Sequence, residues 1–501
     1  MKISSKKWGF TALGSGIAIA SLGLIAVGAP ALAAPGEGGT GSITIHKYEQ
    51  PTDGDLGPAD GSDLGAITGQ KPVSGVEFSI CEIGGLDLAG SADWERISDL
   101  GVSLNAQGTP VLSFTGSGTA PTLGSCTPLG LTDGNGETVA AGLAADRAYV
   151  VYESGPLPNT VYLSQPAIVS VPFPGNGQDG QPVWNYNPHI YPKNVLAGSG
   201  ATKNAEVIGA NISFDISIPI NHLGFDGNGD PIKYTQFEIS DQLNGALSYQ
   251  GSSVTLAAQG GGDVPLAAGD YTVTEANGLV KLVLNASGLA KLDANIGGTL
   301  VFTIDAVADG SGDTSNTATI TVNGKGGDVE VPEPQKFHSG AHVLKTAMNK
   351  GASSAVPLGG ATFELYSNVD AAAIGSCPAN VADAASTLKK VDTGSVGFVS
   401  ASGSGATPNL VLAEGDYCVY ETGVPAGYKG VVTGTKLTVA SEDASVTIQN
   451  TQIGSDEGDL PSLPLTGATG QILMLLAAVI LLAVGGGLYL MRRRREGPAD
   501  N

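Results

Sequence analysis

Two pentapeptides decide the fold: Tyr149-Val150-Val151-Tyr152-Glu153 and Tyr417-Cys418-Val419-Tyr420-Glu421. Each is dense in aromatic and β-branched residues, the composition of a strand that packs on a pleated surface. Residues i, i+2 and i+4 of a strand share a face, so each glutamate lies on the face of an apolar residue two positions earlier. The segments around the two copies also match in plan. Each opens on a strand that carries a lysine and each holds a cysteine pair, which makes them a divergent internal repeat. Modules of this kind, strung end to end, predict a rod.

Working outward, short alternating runs recur between turns. The first segment predicts strands at Ser42–Tyr48, Val76–Ile80, Ala148–Glu153 and Ala167–Val171, and closes at Trp184–Asn194. After a glycine-containing hinge at Leu196–Gly200, a second segment predicts strands at Ala210–Ile218, Lys233–Ile239, Val280–Leu284, Thr299–Ala306 and Thr317–Val322. The run Gly324–Pro334, with two prolines and several acids, is the next boundary. The third segment carries strands at Ala341–Thr346, Ala361–Tyr366, Tyr417–Glu421, Lys436–Val439 and Ser445–Gln449. With 74 glycines, 28 prolines and no evident long amphipathic helix, the class is all-β.

The ends predict export and retention. Lys2, Lys6 and Lys7 precede an apolar stretch and the small-x-small site Ala31-Leu32-Ala33, so residues 1–33 read as a signal peptide. Leu463-Pro464-Leu465-Thr466-Gly467 is followed by an apolar run over 471–491 and then Arg492-Arg493-Arg494-Arg495. About 21 apolar residues at 1.5 Å rise span a bilayer core, and the arginines hold the tail 492–501 on the cytoplasmic side. The domains expected between are 34–194, 195–330 and 331–453, with a spacer over 454–467.

The formal net charge is −23, and removing the three n-region lysines, four tail arginines and two tail acids takes it to −28. That balance excludes nucleic acid and anionic membrane as partners. Cys81, Cys126, Cys377 and Cys418 allow three connectivities. Pairing within each segment, Cys81 with Cys126 and Cys377 with Cys418, needs no crossing between domains. Each loop would then contribute about 4 kcal/mol. A zinc site is the rival, with no C-x-x-C or histidine spacing behind it.

Polar residues on apolar strand faces carry the chemistry. Lys345 shares a face with Val343, Glu421 with Tyr417 and Val419, and Asn450 with Val446 and Ile448. In the second segment Lys203 shares parity with Ala205 and Val207, Asp241 with Phe237 and Ile239, and Asn316 with Ala318 and Ile320. Buried singly, each would cost several kcal/mol. Buried together, they can react. Desolvation favours the neutral amine and the protonated acid. The amine then attacks the carboxamide, the acid protonates the leaving group, and ammonia departs to leave an isopeptide bond. The bland alternative is a hydrogen-bonded polar cluster, or strand ends facing solvent.

Three motifs give these readings a family. Tyr417–Tyr428 resembles the pilin E-box YxLxETxAPxGY, with Val419 and Val424 in place of Leu and Ala. Trp184–Asn194 resembles the pilin motif WxxxVxVYPKN, departing at Pro188 and Ile190. The Leu463–Gly467 pentapeptide with its apolar span and basic tail resembles a cell-wall sorting signal. Together they resemble the major shaft subunits of sortase-assembled Gram-positive pili, of the actinobacterial fimbrial type. The resemblance implies tandem immunoglobulin-like sandwiches, CnaB-type at the ends and CnaA-like or CnaB-like in the middle. It implies isopeptide bonds Lys345–Asn450 assisted by Glu421 and Lys203–Asn316 assisted by Asp241. A third, Lys47–Asn194 with Glu153, is open, because family members differ there.

The resemblance also implies that Lys193 attacks the acyl-enzyme formed at Thr466 and joins subunit to subunit. Parity along Trp184–Asn194 puts Lys193 with His189 and Tyr191, pointing out, and Asn194 with Ile190, pointing in. The implied partners are a pilin-type and a housekeeping sortase, further copies of the chain, peptidoglycan and a tip adhesin, in a fimbria on the cell wall. A monomeric wall-anchored adhesin for a host protein or glycan is the rival reading. No cofactor is expected. Asp133–Glu137 and Asp226–Asp230 read as tight turns rather than calcium loops, lacking EF-hand spacing. The five histidines are expected to form no cluster, and no Ser-His-Asp or Cys-His set suggests an enzyme.

Overall fold

The computed structural model describes residues 35–50, 60–176, 182–225, 230–394, 397–454 and 468–495. The signal peptide, the glycine-rich centre of Asp226–Asp230, the sorting pentapeptide Leu463–Gly467 with Thr466, and residues 496–501 lie outside the described residues. The chain divides into two compact units. The first comprises Met1–Tyr48, Leu56–Pro156 and Ser164–Pro192, and the second Glu49–Asp55, Leu157–Leu163 and Lys193–Asn501.

In the first unit, strand Thr40–His46 lies between Glu137–Ala144, antiparallel, and His189–Ile190, parallel. A second sheet runs Ala167–Val171, Arg147–Gly155, Glu77–Gly84, Thr122–Leu131. Period-two alternation sends Ile43 and Ile45 from the first sheet, and Phe78, Val151 and Val169 from the second, out of solvent. Cys81 and Cys126 sit opposite each other in register and are joined.

The second unit holds two further pairs of sheets. One pair has the orders Thr202–Ile208, Asn211–Pro219, Thr299–Ala308, Leu247–Ala257 and Tyr271–Ala276, Leu279–Leu284, Phe237–Gln242, Thr317–Val322, Lys325–Glu330. Phe214, Ile216 and Phe302 from one sheet pack with Ile239, Leu282 and Ile320 from the other in a continuous core. The other pair begins with Phe337–Met348, the long strand that pairs in parallel with the last one, Ser445–Gln452. Opposite them, Gly415–Gly423 is flanked by Thr362–Ser367 and Thr435–Val439. Cys377 and Cys418 are joined.

Sequence periodicity misses several strands and three short helices. The eleven-residue strand Leu247–Ala257 escapes because Ser252 and Ser253 interrupt its alternation, next to a register shift between Tyr249 and Gly251. Short helices at Ser91–Ile97, Ala286–Ala294 and Val381–Thr387 are too brief to show a 3.6-residue period.

A helix covers Ala468–Arg495, over the run expected to be a transmembrane segment. Among the described residues no helix is long and apolar enough to cross a membrane. Leucine and alanine favour a helix in water as in lipid, so the helix alone does not make the span.

Candidate functional site

The long parallel pair places Lys345 opposite Ile448 and Ala347 opposite Asn450. Lys345 and Asn450 are fully buried, and the Glu421 side chain, from the facing sheet, is equally shut off from solvent. The Lys345 Nζ donates to Asn450 Oδ1 and lies 3.3 Å from Glu421 Oε2. Asn450 Nδ2 donates to Glu421 Oε1 at 2.7 Å, and Val431 N–H donates to Glu421 Oε2 at 3.2 Å. Burial pushes the Lys345 amine below its ordinary value, against the pull of Glu421. The three side chains form a closed ring. Glutamate touches both the nucleophile and the nitrogen that must leave.

The middle set is arranged differently. Lys203, from Thr202–Ile208, donates to Asp241 Oδ2 at 2.6 Å, and both side chains are fully buried. Burial holds the Lys203 amine below and the Asp241 carboxyl above their ordinary values, so each leans toward its neutral form. Asn316 precedes strand Thr317–Val322, whose Ala318 pairs with Asp241. It is 7% exposed, and neither its Oδ1 nor its Nδ2 has a hydrogen-bond partner; Asp241 Oδ1 has none either. The proximity of Asn316 to Asp241 nevertheless biases that carboxyl toward ionisation.

In the first unit Lys47 follows directly on Thr40–His46, and Glu153 lies in Arg147–Gly155. Their side chains are fully buried, with Nζ 2.9 Å from Oε2. Ser164, which sequence reasoning misses, accepts from Lys47 at 3.1 Å and lies 3.4 Å from Glu153 Oε2. Burial lowers the Lys47 amine to about 8, with Glu153 opposing. Asn194 belongs to the second unit, where its side chain is buried and its carbonyl accepts from Gln50 N–H at 2.8 Å.

Alternation along a continuous strand does not set the side of Lys193. Strand geometry is interrupted after His189–Ile190 and resumes at Lys193–Leu196, so alternation does not carry across Tyr191-Pro192. Tyr191 is turned in, 9% exposed, and stacks on His46 with ring centroids 4.6 Å apart. Lys193 is half-buried beside the buried Asn194.

The histidine reading also needs correction. His46 Nε2 lies 2.8 Å from His189 Nδ1, and Asp63 is beside them. The two residues are 143 positions apart, so only the parallel pairing of Thr44 with His189 brings them together. Burial lowers the His46 pKa, partly offset by Glu137. The Asp133 turn is as read from sequence, its Oδ1 accepting from Asn135 N–H and Glu137 N–H at 2.9 Å each.

Comparison with known proteins gives these sites a family. Residues 38–195 match the Gram-positive pilin subunit D1 N-terminal domain, 345–452 a prealbumin-like fold domain, and 455–496 the LPXTG cell wall anchor motif. The chain is 27% identical over 476 residues to fimbrial subunit type 2 of Actinomyces naeslundii, covering 87% of this chain and 86% of that protein. It is 27% identical over 497 residues to fimbrial subunit type 1 of Actinomyces viscosus, covering 86% of each. The structure of the fimbrial protein FimP from Actinomyces oris shares the fold at a TM-score of 0.51 and 20% identity, over 84% of this chain and 99% of that one. The chain is thus a cell-wall-anchored pilus subunit of the Gram-positive type, and its relatives are structural proteins rather than enzymes.

Proposed function

We propose that the chain is the shaft subunit of its pilus, joined head to tail through the Lys193 amine and the Thr466 carbonyl. A sortase thiolate attacks the Thr466–Gly467 bond and releases the C-terminal piece. The Lys193 amine then displaces the thiolate, forming one amide and restoring the thiol. That piece carries the helix Ala468–Arg495, and a housekeeping sortase passes the last subunit to a peptidoglycan amine. A separate subunit at the tip completes the fibre.

Within each subunit, Lys345 joins Asn450 and Lys203 joins Asn316, with Glu421 and Asp241 assisting. The same reading extends to a third bond, Lys47 to Asn194 with Glu153 assisting. The observation that carries this reading is the ring of Lys345, Glu421 and Asn450. It ties the first strand of the last sandwich to its final strand, the one nearest the anchor. Tension entering at one end would then leave through covalent bonds rather than through hydrogen-bonded strands.

An immunoblot of wall extracts boiled in detergent tests the linkage. Wild type is expected to give a high-mass ladder, and Lys193→Ala only the monomer. A single wall-linked band in both strains would overturn the shaft reading and favour a monomeric adhesin.

A further inference from the structure

His46, Asp63 and His189 meet from three separate stretches of the first unit. His46 ends strand Thr40–His46, His189 starts the short strand paired in parallel with it, and Asp63 comes from the loop between. The ligand-capable atoms of all three lie within 4.8 Å of one another, with Asp63 Oδ1 3.7 Å from His189 Nδ1. The loop is fixed in place. Gly61 C=O accepts from His189 N–H at 3.0 Å, and Leu64 N–H donates to the Tyr191 hydroxyl at 2.7 Å. Gly65 N–H donates to Asp63 Oδ1 at 2.8 Å, and the stacked Tyr191 ring fixes the plane of His46.

The hydrogen bonding shows which atoms face inward. Glu137 Oε1 lies 3.0 Å from His46 Nδ1 and holds that N–H. His46 Nε2 therefore presents its lone pair, and the single proton in the 2.8 Å gap belongs to His189 Nδ1. A carboxylate behind a ligating imidazole is the usual support of a metal site, since it sets tautomer and ring orientation. Two imidazoles and one carboxylate suit a first-row divalent transition metal and not the all-oxygen shells of calcium or magnesium.

We propose that this cluster binds one Zn²⁺ ion through His46 Nε2, His189 Nδ1 and Asp63 Oδ1, with Glu137 as the outer support of His46 and water in the fourth position. Binding shifts the single proton of the neutral His189 ring from Nδ1 to Nε2, with no net proton released and no change of oxidation state. Donors about 2.0–2.1 Å from a tetrahedral zinc stand ~3.3 Å apart, so the ring nitrogens open by roughly half an ångström. Asp63 is 58% exposed at its side chain and gives the ion its way in. The ion would clamp the first strand and the Asp60–Gly65 loop to the strand that leads toward Tyr191.

The test is calorimetric titration of Zn²⁺ into the full chain, purified in detergent without an affinity tag and stripped with chelator. One ion per chain with micromolar or tighter affinity is expected, with x-ray absorption showing two imidazole ligands. Glu137→Gln should weaken binding about 10–100-fold, Asp63→Asn should weaken it at least as much, and His46→Gln with His189→Gln should abolish it. The Glu137 and Asp63 side chains are 43% and 58% exposed, so these variants leave the fold in place and decide the matter even if the double histidine variant unfolds. No saturable binding in the micromolar range would overturn the site, as would equal affinity in wild type and Asp63→Asn.

Discussion

The middle and last sandwiches each bury a lysine, an acid and an asparagine, yet only the last closes them into a ring. Glu421 reaches across from the facing sheet and touches both partners, with Asn450 Nδ2 at 2.7 Å. Asp241 is one methylene shorter. It grips Lys203 at 2.6 Å and leaves Asn316 with no hydrogen bond. The reaction needs the acid in two places, at the amine and at the leaving nitrogen. Acid length and strand position therefore set how far each site is poised toward closure. The last sandwich is also reinforced by Cys377–Cys418, whereas the middle segment has no cysteine.

The largest effect expected from this difference comes at Glu421. Glu421→Ala should leave Lys345 and Asn450 unjoined, making the chain heavier by one ammonia. Losing a cross-link over 105 residues should destabilise the last sandwich by about 5 kcal/mol on loop-entropy grounds, read by chemical denaturation. An unchanged mass in Glu421→Ala would break the comparison at its stronger end.

Next in size is the disulfide. Cys377→Ser with Cys418→Ser should cost about 4 kcal/mol where the Lys345 bond is absent. It should cost less where that bond is present, because the two constraints overlap between Phe337–Met348 and Ser445–Gln452. Equal costs in the two backgrounds would mean that the constraints act independently.

A smaller effect is expected from pH. Lys47 has a folded pKa of about 8, below its ordinary value of 10.5, because burial outweighs the attraction of Glu153. While Lys47 remains a free amine, the unfolded chain takes up a proton at higher pH than the folded one. Stability then rises as pH climbs from about 8 to 10.5 and is level below 8. An amide at Lys47 removes that slope. Denaturant midpoints across the window therefore distinguish a joined from a free Lys47, and Lys47→Met serves as the flat reference.

The smallest expected change is in Asp241→Glu. The extra methylene lets the carboxyl reach Asn316, so the fraction of chains with the middle bond closed should rise while the unfolding midpoint of the joined form hardly moves. A lower closed fraction in Asp241→Glu would mean that side-chain length is not what separates the two sites.

Much of this was legible in the sequence, for a specific reason. Lysines, acids and asparagines on apolar strand faces are costly unless they meet, and period two identifies the face without any knowledge of the partner. Lys203, Asp241, Lys345 and Asn450 are all buried as that argument requires. Parity says nothing about reach, so the unequal contacts of Asn316 and Asn450 appear only in the folded chain. Parity also failed across Tyr191-Pro192, where the chain leaves strand geometry and Tyr191 turns inward. The His46–His189 contact was invisible because its partners are far apart in sequence and meet only through a two-residue parallel pairing. Ser164 escaped for the same reason, being a loop residue with no periodicity to mark it.

The central claim is that buried triads become covalent bonds, and peptide mass analysis of the mature protein tests it most directly. After reduction and proteolysis, the account predicts a branched peptide joining Lys345 to Asn450, lighter by one ammonia than its two arms together, and a second joining Lys203 to Asn316. Recovery of all four residues in unmodified linear peptides would contradict it.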